Sequence, residues 1–123
     1  SGFAYAPGKW TVREVLGHVA DSERVFAYRA LRFGRGDRTP LPGFDQEVLV
    51  PNSNVADRPW KELLDDLFTV RRSTQNLFRS FREKDWERRG EASGVEVSVR
   101  AIAWVVTGHE LHHRGVLRAR YGL

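Results

Sequence analysis

The chain has 123 residues, with 20 Lys and Arg against 16 Asp and Glu, four His and neither Cys nor Met. That length suits one domain with a real core, expected to span residues 1–123, and is too short for two. Without Cys, a disulfide scaffold, a thiolate-ligated zinc module, an iron–sulfur cluster and a cysteine nucleophile are all excluded. The same lack fits a reducing, cytoplasmic setting. Ser1-Gly2 resembles a cloning remnant and is set aside. No apolar run approaches the roughly 18 residues of a membrane span, so a soluble chain without a membrane partner is expected. The net charge of +4 is carried almost wholly by 17 Arg, but these are interleaved with acids, as in Arg13-Glu14, Glu23-Arg24, Arg82-Glu83 and Glu87-Arg88. Phosphate binding needs a one-sided basic stripe, and nucleic acid is therefore not an expected partner.

Three segments carry helical periodicity. The first opens on the capping box Thr11-Val12-Arg13-Glu14. Val12, Leu16, Val19, Phe26, Ala30 and Phe33 then recur at three- and four-residue steps, and Gly34 is a stop. The connection from Gly34 to Ala56 is far longer than the 2–8 residues that bundle loops usually need. Two readings of it stand: a lid or binding loop, or a crossover carrying a short helix near Asp45–Val50. Arg35-Gly36-Asp37 falls inside it, a tripeptide too common to carry an adhesive role. The second helix is predicted from a cap at Asp57, with Pro59 in its first turn, to about Arg82. Val95-Glu96-Val97 is the one extended-looking piece, too short to found a sheet. The third helix is predicted to open at Ser98 and to end near Tyr121-Gly122, with a stripe of Val99, Ile102, Val106, His109, His113 and Val116. Three segments of this length predict an all-α, up-and-down bundle.

The chemistry gathers on histidine. His109 and His113 lie four apart, so an α-helix presents both imidazoles on one face about 6 Å apart along its axis, the spacing of paired metal ligands. Both fall on the apolar stripe, where a neutral imidazole needs partners for two nitrogens. His112 is rotated off that face. The run His109-Glu110-Leu111-His112-His113 also matches the zinc-protease pattern with Glu110 as base. That reading is set aside, because no His follows to complete such a site and Glu110 is the last acid. The remaining histidine, His18, sits at the edge of the first helix's apolar arc beside Val15, Val19 and Ser22. Each histidine taken singly reads equally well as a satisfied core or surface residue. Together they make a three-imidazole site for a divalent ion with an open position, the pattern of catalytic zinc. Glu110, His112 and Ser22 are the candidates for hydrogen-bonding the ligands. Arg35, Arg38 and Phe44 are loop candidates for closing over an anionic small-molecule substrate.

The stretches Tyr5–His18, Asp21–Phe26, Pro40–Asp45 and Gly108–Gly115 together resemble the DinB-like superfamily over nearly the whole chain. That resemblance implies a four-helix bundle holding a divalent cation, often nickel or zinc, on three His that fall here on His18, His109 and His113. It also implies either hydrolysis of a small substrate or transfer of a low-molecular-weight thiol such as bacillithiol, mycothiol or glutathione. A chain lacking Cys could not supply that thiol itself. A non-catalytic helical binding module with a structural metal is the alternative. Against that bundle, the usual first helix of the four is expected to be absent or truncated here. An apolar groove along Val19 and Phe26 and along Leu63 and Leu67 is therefore expected, covered by homodimerisation or a partner helix.

Overall fold

The computed structural model describes residues 10–108. Helix α1 (Val12–Gly34) starts on the predicted box: Thr11 accepts from the Glu14 N–H at 3.2 Å while Glu14 accepts from the Thr11 N–H at 2.8 Å. It runs 23 residues and ends at Gly34 as expected. The long connection is a crossover with a short helix α2 (Gln46–Leu49), capped by the Asp45 carboxylate, and a 3-10 turn at Val55–Asp57. Helix α3 (Trp60–Arg79) follows, and a one-turn α4 (Glu83–Trp86) leads to two strands and a last helix, α5, over residues 99–108. Ser98 caps α5 as predicted, its hydroxyl accepting from the Ala101 N–H at 3.0 Å.

The elements differ from the sequence expectation at three points. Asp57 does not cap α3; it lies in the 3-10 turn, and Pro59 holds the cap position without a side-chain hydrogen bond. The second helix stops at Arg79 rather than Arg82, because Phe81 turns inward to pack against Phe78 and Trp86. A small sheet does form: β1 (Arg89–Ala92) pairs antiparallel with β2 (Val95–Ser98), Gly90 opposite Val97 and Glu91 opposite Glu96. Its two-residue turn is Ser93-Gly94, with φ of 54° and 78°, the left-handed pair that matches the twist of a tight hairpin.

Two clusters make the core. Ala30, Phe33, Leu41, Phe81, Ala92, Val99, Ile102 and Val106 join α1 to the hairpin and α5, whereas Leu16, Val55 and Leu63 join α1 to the crossover and α3. The crossover is stitched to the hairpin edge, with Leu41 N–H donating to Glu91 O at 2.9 Å and Ser93 N–H to Leu41 O at 3.1 Å. At Arg35-Gly36-Asp37 the carboxylate is already engaged. Hydrogen bonds from Thr39, and then Arg32, lower the Asp37 pKa to about 2. The expected groove also moves. Val19 and Leu63 are buried, Leu63 where α1 and α3 close on each other with Val55 wedged beside them, and Phe26 packs on the cluster of α1, hairpin and α5. Among the described residues an apolar groove lies further along the pair, between Ala27, Tyr28 and Leu31 of α1 and Val70, Ser73 and Leu77 of α3.

Gly90 is where hairpin and helix meet most closely, since a Cβ there would overlap the Phe33 ring. Gly90→Ala is therefore expected to cost about 1–3 kcal/mol, as overpacking of a filled core does. Thermal unfolding should show a clearly lower Tm; an unchanged Tm would contradict this packing.

Candidate metal centre

His18 lies on the inner face of α1 with only 6% of its surface exposed. An imidazole so placed must satisfy its ring nitrogens inside the protein. The Gln46 side-chain oxygen lies 2.8 Å from Nδ1, and the Ser22 hydroxyl lies 3.2 Å from the same atom. Gln46 closes the triangle by donating its amide N–H to Ser22 Oγ at 3.4 Å. Ser22 is fully buried one helical turn after His18, so the i, i+4 geometry of α1 brings serine and histidine together without help. Gln46 comes from 28 residues away, carried in by α2. Trp10 covers the imidazole, ring centroids 4.6 Å apart and planes tilted by 50°. On the neighbouring residue, Gly17 leaves the space that Val55 Cγ1 fills, since a Cβ there would stand 2.8 Å from it.

Burial is the main cause of a lowered His18 pKa; the hydrogen bond to Gln46 and the charge of Asp21 oppose it. The imidazole is thus neutral at pH 7. That is the state a metal ligand requires.

Glu23 follows one residue after Ser22 and is 3% exposed. Arg71 of α3 clamps its carboxylate, with Nη2 at 2.7 Å and Nε at 3.1 Å from both oxygens. This pair fixes the rotation of α1 against α3 and hence the direction in which His18 points.

The structure separates the other sequence-predicted residues. Ser22 is at the site, whereas Arg35 and Arg38 are engaged elsewhere. Phe44 stands edge-on to Phe26 at 6.0 Å and lies 5.3 Å from the Arg29 guanidinium. Arg35 follows the end of α1, about 25 Å along that axis from His18 at about 1.5 Å per residue, over the Phe81 ring. Arg38 pairs with Glu96 at 3.5 Å. His109, Glu110, His112 and His113 lie outside the described residues. Among the described residues no group of three or more His, Cys, Asp or Glu is gathered. On α5, Val99, Ile102 and Val106 are buried, so the stripe that carries 109 and 113 in the sequence is inward-facing as far as residue 108. Gln46 was missed by sequence reasoning. Its only signal was the excess length of the connection that carries it.

Residues 2–117 match the model of the DinB superfamily. The chain belongs to this superfamily. Within it, the chain is 30% identical over 118 residues to a protein of Oceanobacillus iheyensis named "Putative metal-dependent hydrolase OB0413". That match takes in 89% of this chain and 63% of the relative, so the chain spans less than two thirds of its length. The fold matches YfiT from Bacillus subtilis, described as a probable metal-dependent hydrolase with an unusual four-helix bundle topology. The TM-score is 0.76 at 20% identity, covering 95% of this chain and 70% of that one. The DinB-like bundle read from the sequence is thus borne out. Among the described residues no helix is long and apolar enough to cross a membrane.

The lowered His18 pKa gives a pH signature in the metal-free protein. The unfolded chain protonates His18 near 6.5, before the folded chain does. The contribution of His18 is therefore constant above pH 6.5 and falls as pH drops below it. Urea midpoints measured from pH 8 to pH 5 should show wild type losing ground to His18→Gln in that lower range. Parallel profiles would contradict a histidine held neutral by burial.

Proposed function

We propose that this DinB-superfamily chain is a divalent-metal-dependent enzyme whose metal is held by His18, His109 and His113. The observation that carries the reading is the buried, neutral His18, its Nδ1 tied to an amide oxygen and a hydroxyl. A neutral imidazole with one nitrogen so engaged fits a metal ligand, since ligating histidines hand their other N–H to an acceptor. The hydrolase names of the relatives support the same class of chemistry. A divalent ion, zinc or nickel, supplies Lewis acidity that makes water or an incoming thiol nucleophilic near neutral pH.

The chain's own residues have three tasks. Ser22 and Gln46 hold the imidazole in place. Trp10 shields its face from bulk water. The Glu23–Arg71 clamp stops α1 from rotating against α3. Hydrolysis of a small substrate is the primary reading. Transfer of a low-molecular-weight thiol uses the same site, and with no Cys in the sequence that thiol would come from outside. A homodimer closing the α1–α3 groove at Tyr28 and Leu31 belongs to this proposal as its quaternary form.

Metal analysis of full chain purified without an immobilised-nickel step should find a stoichiometric divalent ion. His18→Ala and His109→Ala should each weaken metal binding by more than the 10–100-fold typical of losing an outer partner. Absence of metal from the wild type, or unchanged binding in both variants, would overturn the proposal.

A further inference from the structure

The proposed metal reading leaves open which nitrogen of His18 faces the ion. The triangle on α1 answers it. An amide oxygen accepts hydrogen bonds and never donates, so an Nδ1 atom 2.8 Å from Gln46 Oε1 must carry the proton. A neutral imidazole has one proton to place, and Nε2 then keeps its lone pair. In the structure the amide turns its oxygen to Nδ1 and its N–H to the Ser22 oxygen at 3.4 Å. Were the amide turned over, its N–H groups would face Nδ1, the proton would move to Nε2, and the lone pair would lie toward Gln46.

From this geometry we infer that Gln46 is a positioning residue of the metal centre: it selects the Nδ1–H tautomer of His18 and so commits Nε2 to the metal. The inference rests on the metal reading given above. The Ser22 hydroxyl alone could not enforce the choice, because it both donates and accepts and fits either tautomer. Selection needs an acceptor in a fixed orientation, and α2 delivers one. Asp45 caps that short helix, its carboxylate accepting from the Glu47 N–H at 2.9 Å, and so sets the direction from which Gln46 reaches α1. The residue type fits its place. A neutral amide selects the tautomer without the desolvation cost of a half-buried carboxylate.

The test uses the full chain and two variants, Gln46→Leu, which removes the acceptor, and Gln46→Glu, which keeps one. Long-range proton–nitrogen NMR on the metal-free proteins at pH 8 reads the His18 tautomer. Competition with a chromophoric chelator reads zinc affinity, and circular dichroism checks that each variant is folded. In wild type and in Gln46→Glu the proton is expected on Nδ1. In Gln46→Leu it should spread to Nε2, with zinc binding weakened by about 10–100-fold. A wild-type His18 protonated on Nε2 would overturn the inference. So would a Gln46→Leu chain keeping both the tautomer and the zinc affinity of the wild type. Those results leave the metal reading standing if zinc still binds through His18, whereas a wild type that binds no zinc overturns the metal reading itself.

Discussion

Helix α1 carries four polar side chains that are almost wholly inside the protein: His18, Ser22, Glu23 and Arg29. Buried polar groups cost about 1–3 kcal/mol each when unpaired, and charged ones more, so each must find a partner. The crossover, α3 and the hairpin turn meet that demand. The Gln46 amide comes from the crossover, and the Arg71 guanidinium comes from α3. Arg29 donates to Pro42 O and to Ser93 Oγ, both at 3.0 Å, drawing in the crossover again and the hairpin turn. The helix that positions the candidate ligand is thus also the frame onto which the rest docks.

The magnitudes differ among these ties. Removing one partner of a buried ion pair costs about 3–5 kcal/mol, although the same pair replaced by apolar residues is often neutral. The Arg71 side chain is 27% exposed against 3% for Glu23, so water softens one side of that clamp. Its value lies in register more than in net stability, since a bidentate guanidinium accepts only one rotation of α1. The His18 triangle is made of neutral groups and contributes less energy. What it supplies is orientation.

Much of this frame was legible in the sequence, and the misses have physical causes. Thr11 and Glu14, Gly34 and Ser98 signal helix ends through short-range hydrogen bonds, so they read correctly. Asp57 carried the same kind of signal, but the 3-10 turn absorbed it and Pro59 took the cap position. The hairpin leaves a faint trace because its strands have four residues each and little alternation; its signal lies in the Ser93-Gly94 turn. Of the site, His18 and Ser22 were visible as an i, i+4 pair on an apolar arc. Gln46 was not, because a contact 28 residues away leaves no periodic trace. Arg35 and Arg38 looked suited to an anion by charge alone. Helix length decides otherwise, placing Arg35 about 25 Å along the axis from His18.

The fold is proposed to present His18 to a divalent ion through Nε2, with its other nitrogen held from the crossover. Anomalous diffraction from crystals of the zinc-loaded full chain tests this most directly. A zinc peak bonded to His18 Nε2 is expected, with Gln46 Oε1 still on Nδ1. A zinc peak on Nδ1, or one that leaves His18 without a bond to the metal, would contradict it.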